Sequence, residues 1–272
     1  MVTTVQDFRS RFGFHATPFT RELAACDRFS LSFFDEAIEA LLKTLDARMS
    51  CALVAPAGTG KTSVLRVVIS RLPEARYRTS YVKVTGLSKR DMCREIACAC
   101  GLAPAGSYPA LVRRLQDHFA EAADTSGLRP VLVLDEAHDL RPEVLSMVRI
   151  LTNFDMDSRL VLSVVLSGQP RLRELLRQEE LEDVARRLSH YATLRTLSRE
   201  ELGRYVEHRC TIAGASQMPF DQTSLDALFE IGRGNLRATD QLARKALEIA
   251  HEQDRDVCEP AQVAHARKLL WP

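Results

Sequence analysis

The run CALVAPAGTGKTS at 51–63 constrains the fold of this chain more than any other stretch. Cys51 to Ala55 are uniformly apolar, which is how a strand buried on both faces reads. They empty into Pro56-Ala57-Gly58-Thr59-Gly60, a turn of small residues. Lys61, Thr62 and Ser63 then open a helix carried by Val64, Leu65, Val67, Val68 and Ile69. Strand, small-residue loop, Lys-Thr and helix in that order make a phosphate-binding loop. Gly58 and Gly60 reach backbone angles closed to other residues, so successive N–H groups can close round a polyphosphate. The helix N-terminus adds donors and partial positive charge. Lys61 is placed to reach the outer phosphates, and the Thr62 hydroxyl to ligate Mg2+. The pattern G-x-x-x-x-G-K-[ST] has Ala55 where its first Gly stands, which is the mildest replacement.

A second apolar strand, VLVLDE at 131–136, ends in two acids. Nucleotide hydrolysis on a phosphate-binding loop needs one acid for the Mg2+ shell and one to orient or deprotonate the attacking water. Asp135 is the candidate for the first role and Glu136 for the second. Both fall at the carboxyl edge of a parallel sheet, where ligands bind. The expectation is binding and hydrolysis of a nucleoside triphosphate, ATP with Mg2+.

A chain of 272 residues buries a sizeable core in one large or two small domains. Its formal charge of +1 does not by itself announce a nucleic-acid binder, although a local basic stripe is compatible with it. No apolar run approaches a membrane span and the first residues lack the apolar core of a signal peptide, so a cytoplasmic protein without a membrane segment is expected. Cys26, Cys51, Cys93, Cys98, Cys100, Cys210 and Cys258 are odd in number and form no paired CxxC, as in a reducing compartment. Cys93 and Cys100, with Ile96 and Ala97, read as one apolar helix face rather than a zinc site.

Residues 1–30 are irregular and aromatic, with Phe8, Phe12, Phe14, Phe19 and Phe29, and would either cross a sheet edge or line an adenine pocket. Helical spacing marks 33–45, 108–123 and 144–154. Ser88 is a plausible N-cap for a helix that Gly101 ends. Strands are expected at 80–85, 160–166 and 191–194, with short helices at 171–177 and 180–188. Strands alternating with helices imply a parallel sheet covered on both faces. From Ser198, whose SREE run resembles a capping box, only helical patterns follow, at 220–231, 236–251 and 260–270. The expected domains are an N-terminal segment (1–30), an α/β nucleotide-binding domain (31–197) and an all-α lid (198–272).

This organisation resembles an AAA+ ATPase, a P-loop NTPase with a parallel sheet flanked by helices and a small C-terminal helical lid. On that resemblance Ser167-Gly168-Gln169-Pro170 matches the sensor-1 position, where Gln169 or Ser167 would hydrogen-bond the γ-phosphate or the water. Arg186-Arg187-Leu188 matches the segment of the arginine finger, with Arg187 preferred, and Gly234-Asn235-Leu236-Arg237 the sensor-2 motif, with Arg237 reaching the phosphates. Phe12-Gly13-Phe14 with Pro18-Phe19, Leu166 to Pro170 and Gly232 to Arg237 look like the signatures of the ExeA-like group. That group includes a secretion-associated ATPase and transposon-encoded helpers similar to the TnsC, TniB, IstB and MuB regulators. The resemblance implies a homo-oligomer, ring or filament, that binds double-stranded DNA without reading sequence and recruits or activates a transposase. Lys83, Lys89, Arg90 and Arg94, with Arg113 and Arg114 on the next helix, would then meet the DNA phosphates. Two other readings stand beside it: a secretion or assembly ATPase acting on protein without DNA, and a signalling switch that binds ATP tightly and hardly turns over. Asp135-Glu136-Ala137-His138 is also found in helicases, but those need two motor domains and the length gives room for one.

Overall fold

The computed structural model describes residues 8–20, 27–84 and 86–271. In chain order the described elements are α1 (Phe8–Arg11), α2 (Ser32–Asp46), β1 (Ser50–Val54), α3 (Lys61–Arg71), β2 (Tyr77–Lys83), α4 (Lys89–Ala99), α5 (Tyr108–Asp124) and β3 (Arg129–Asp135). Then come α6 (Pro142–Leu145), α7 (Met147–Leu151), β4 (Ser163–Gly168), α8 (Arg171–Leu176), α9 (Glu182–Arg187) and β5 (Leu188–Thr193). The chain closes with α10 (Arg199–Ile212), α11 (Gln222–Gly232), α12 (Leu236–Glu252) and α13 (Pro260–Leu270). Contacts divide it into two compact units, one of residues 31–57 and 61–194, the other of the described part of 1–30, Gly58–Gly60 and 195–271.

The first unit is a sheet of order β2-β3-β4-β1-β5, every pairing parallel. Parallel strands need helical crossovers and are covered on both faces, which is why β1, β3 and β4 are nearly continuous apolar runs. Ala52, Val54, Leu132, Leu134, Val164 and Leu166 share one face and pack with Met92, Ile96, Leu111, Leu115 and Leu145 from the helices between α4 and α9. α2 lies against β1, β5 and α3. Cys93, Ile96, Ala97 and Cys100 are all buried, and among the described residues no His, Cys, Asp and Glu cluster could hold a metal. The helix expected at 144–154 is broken into α6 and α7 and ends at Leu151. β4 begins at Ser163 rather than Leu160, which is 53% exposed, and runs on through Ser167 and Gly168 because Gly168 pairs with Val54.

In the second unit α10 starts on a capping box: the Ser198 hydroxyl accepts from the Glu201 N–H and Glu201 accepts from the Ser198 N–H. Asn235 caps α12 through the Ala238 N–H at 3.1 Å. Gly58 is left-handed at φ +74°, and its carbonyl accepts from the Arg237 N–H at 3.2 Å. Phe19 packs edge-on to Phe220 and Phe29 to Tyr205, and the N–H groups of His15 and Ala16 both donate to Ala213 O. Residues 1–7, 21–26 and Thr85, at the end of the strand expected at 80–85, lie outside the described residues. Among the described residues no helix is long and apolar enough to cross a membrane.

Candidate active site

The strand order places β4 between β3 and β1, so three carboxyl ends meet. Val54, last in β1, pairs with Gly168, last in β4, and Leu134 pairs with Leu166. Asp135 therefore lies beside Ser167, and the phosphate-binding loop begins next to both. Ala55 N–H extends the β1–β4 ladder by donating to Gly168 O at 3.0 Å. Gly60 has φ +98°, and α3 starts at Lys61 as the motif requires. Lys61 is 6% exposed, and its ammonium donates to Ala55 O over 3.4 Å, a long bond that yields readily to an anion. Thr62 and Ser63 are exposed.

Asp135, 2% exposed, is held by three donors. The Ser167 hydroxyl (2.8 Å) and the Glu136 N–H (3.0 Å) both bond Oδ1, while the Tyr81 hydroxyl bonds Oδ2 at 2.9 Å. Ser167 is thus committed to Asp135, which leaves Gln169, half-buried just past the β4 end, as the other polar side chain of that segment. Burial and the bond to Asp135 hold the Tyr81 phenol well above its ordinary pKa, so it stays a donor. Sequence reasoning missed Tyr81. Its signal was there in part, since Tyr81 and Lys83 alternate on one strand face, but only the β2–β3 pairing, with Lys83 opposite Asp135, brings the phenol within reach.

Glu136 is left-handed, φ 60° and ψ 32°, which turns the chain sharply off the strand. Its Oε2 and the Nδ1 of buried His138 are 3.4 Å apart, and among the described residues neither has a hydrogen-bond partner. A buried polar atom without a partner awaits one. The left-handed glycines, a buried ammonium, an exposed Thr hydroxyl, a carboxylate oxygen with room for one more donor and an orphaned glutamate fit a Mg2+-bound polyphosphate and the water that attacks it.

Arg187 is elsewhere. It ends α9 immediately before Leu188, and Leu188 pairs with Ser50, the first residue of β1. Arg187 is therefore at the amino edge of the sheet, roughly 15 Å along the strands from the loop after Val54. There it binds both oxygens of Asp157 at 2.7 and 2.6 Å, while Arg186 pairs with Glu182 in its own helix turn. The guanidinium holds the Asp157 carboxyl below its ordinary pKa. Both arginines line an open cavity of about 660 Å3 with Arg149, Asn153 and Asp183. Lys83, Arg90 and Arg94 are exposed and Lys89 half-buried. Arg90 donates to Gly106 O, Arg94 to Pro104 O and Arg114 to Ala103 O and Ala105 O, so these three arginines tie down the α4–α5 loop. Arg237 is exposed in the first turn of α12.

Residues 44–176 match the AAA domain family. General secretion pathway protein A of Aeromonas hydrophila is 33% identical over 197 residues, 72% of this chain and 36% of that protein. The chain carries an AAA domain, the fold of a P-loop ATPase. AAA ATPases use ATP with Mg2+. The chain spans only 36% of the length of that curated relative. Among solved structures, Cdc6p of Pyrobaculum aerophilum superposes with a TM-score of 0.74 at 18% identity, over 92% of this chain and 69% of the other. The Aeropyrum pernix ORC1 protein, solved in complex with DNA, gives 0.67 at 20% identity, over 90% and 67%. The Thermotoga maritima RuvB Holliday junction branch migration motor gives 0.59 at 16%, over 89% and 70%. These three likenesses establish the fold.

Proposed function

We propose that the chain is an ATPase that uses hydrolysis of ATP, with Mg2+, to assemble on, and act upon, a protein partner, as the name of its secretion relative suggests. The chemistry rests on one observation, the Asp135 carboxylate ordered by three donors beside a glutamate whose Oε2 has no hydrogen-bond partner among the described residues. The N–H groups of Ala57 to Gly60, in the loop that Pro56 opens, and of the first turn of α3, which includes Ser63, cradle the polyphosphate, and Lys61 exchanges its Ala55 carbonyl for the outer phosphates. Thr62 and Asp135 hold Mg2+, which when bound neutralises charge building on the phosphates. Glu136 orients the attacking water and takes its proton, and Gln169 contacts the γ-phosphate or that water. Arg237 keeps the phosphate contact that the resemblance implies. Arg187, at the far edge of the sheet from its own loop, serves the site of a second copy, which makes the working form a homo-oligomer.

Glu136→Gln tests the chemistry: ATP should still bind while turnover falls to background, and Lys61→Ala should lose binding itself. A Glu136→Gln variant that hydrolyses normally sinks the role assignment, and a wild type that binds ATP without measurable turnover points to a switch.

A transposition regulator loaded on DNA is the second reading. The exposed Lys83, Arg90, Arg94 and Arg113 favour it, but Arg90 and Arg94 are already engaged with loop carbonyls, which lowers their worth as phosphate contacts. Imaging with a non-hydrolysable ATP analogue, with and without duplex DNA, separates the two. Oligomers indifferent to DNA support the protein-assembly reading. Rings or filaments that need both ligands, with affinity falling steeply as salt rises, overturn it in favour of DNA loading and a transposase partner.

A further inference from the structure

We infer that Tyr81 is a positioning residue for Mg2+, the group that leaves Asp135 a single accepting site for the ion's shell. The inference rests on the reading of Asp135 given above and concerns the one of its three donors that comes from the neighbouring edge strand. An ionised carboxylate offers about two lone-pair sites on each oxygen. At Oδ1 both are taken, one by the fully buried Ser167 hydroxyl and one by the Glu136 N–H. At Oδ2 the Tyr81 hydroxyl takes one, at 2.9 Å. Among the described residues no other group donates to it, so one site remains, and its direction is fixed because the three donors come from three different segments: strand β2, strand β4 and the turn after β3.

The placement follows from sheet register. β2 pairs in parallel with β3, Tyr81 opposite Val133 and Lys83 opposite Asp135. Tyr81 is thus two positions upstream on the neighbouring strand and on the same face, a diagonal that only a long side chain spans. Serine or threonine at 81 would fall short. Tyr81 is 41% exposed and makes its polar contact with Asp135 from the sheet's outer strand. Removing the hydroxyl therefore leaves the core untouched, which makes Tyr81→Phe a clean perturbation.

Without the phenol, Oδ2 has two open sites and the carboxylate can swing about the Oδ1 contacts. The loss of one charge-assisted hydrogen bond should raise the Mg2+ concentration needed for tight nucleotide binding roughly tenfold. Affinity for nucleotide in EDTA should not move, because the phenol touches no phosphate-binding group. The experiment titrates Mg2+ into wild type, Tyr81→Phe and Asp135→Asn, each holding a fluorescent ATP analogue, and repeats nucleotide binding in EDTA. A Mg2+ midpoint shifted in Tyr81→Phe, with unchanged EDTA affinity and with turnover restored by excess Mg2+, supports the inference. A midpoint shifted in Asp135→Asn but not in Tyr81→Phe overturns it while sparing the Asp135 reading. No shift in either overturns both.

Discussion

Gly234→Ala should destabilise the helical unit severely, and the structure gives the size of the effect. Gly234 has φ +69°, and a Cβ built there would stand 2.1 Å from Leu197 O and 2.8 Å from Leu197 N. Ordinary contacts start near 3.4 Å, so backbone must part by more than an ångström. Neither neighbour is a flexible side chain. The separation would break the bond that the Leu197 N–H donates to Gly234 O at 2.9 Å. Left-handed backbone costs an alanine about 1–2 kcal/mol, and a lost backbone bond adds about 1 kcal/mol. Residual overlap brings the total to roughly 3–5 kcal/mol. Gly127→Ala is the matched control, with φ +64° and nothing within 4 Å, and it bears the conformational cost alone. At about 2–4 °C per kcal/mol for a chain of this size, Gly234→Ala should melt roughly 10 °C below wild type and Gly127→Ala only a few degrees below. Thermal melts followed by circular dichroism decide it. Two variants melting within about 2 °C of each other would falsify the steric argument.

Burial raises the Asp240 carboxyl to about 6, against the pull of Arg209 and Tyr205. A folded pKa above the unfolded one means stability present below about pH 4 and lost as pH rises through 6, by up to about 3 kcal/mol. Asp240→Asn should remove that slope from urea titrations run across pH 4 to 7. Glu201 has the opposite sign: Arg195 at 2.6 and 2.8 Å lowers it to about 2, so its contribution is present above pH 4.5 and fades as pH falls towards 2. Acid denaturation of Glu201→Gln should show a shallower slope in that window. Burial pushes the thiols of Cys51, Cys93, Cys210 and Cys258 up to about 12, whereas Cys98 is exposed. Mass spectrometry after brief alkylation should find Cys98 labelled and those four intact until denaturant is added. Arg187→Ala should cut turnover by roughly a hundredfold or more with ATP binding retained, and mixing it with Lys61→Ala should recover part of the activity. Mixtures no more active than their components would place the finger elsewhere, Arg186 first.

The features legible in the sequence are those set by neighbours along the chain. The phosphate-binding loop, the apolar strand ending in Asp135 and Glu136, the N-caps Ser88 and Ser198 and helix α13 each depend on a few adjacent residues. What the sequence hid depends on strand order. The phenol of Tyr81 matters only because β2 borders β3, and Ser167 is an Asp135 partner only because β4 lies between β3 and β1. The segment at 160–166 misleads for a similar reason. Its leucines and valines are apolar throughout, but Arg159 bridges to Phe154 and the ladder with β3 starts at Ser163. The aromatic N-terminus was equally opaque, because burying Phe19 requires Phe220, and half-burying Phe29 requires Tyr205, from the far end of the chain.

The two acids themselves show why a strand end alone does not make a site. Consecutive strand residues point to opposite faces, so a straight continuation of β3 would send Glu136 away from Asp135. The left-handed turn at Glu136 cancels that alternation at a cost of about 1 kcal/mol or more. It is held in place by its surroundings: Asp139 N–H donates to Glu136 O at 3.0 Å, Ala137 is fully buried, and the His138 backbone N comes close over the end of β4. At that point the β4 residue is Gly168, where a Cβ would lie 3.2 Å from His138 N and 3.0 Å from Leu172. A side chain at 168 would lift the turn and with it the Glu136 carboxylate. The small residue between Ser167 and Gln169 is therefore part of the acid pair's geometry, although it carries no chemistry of its own.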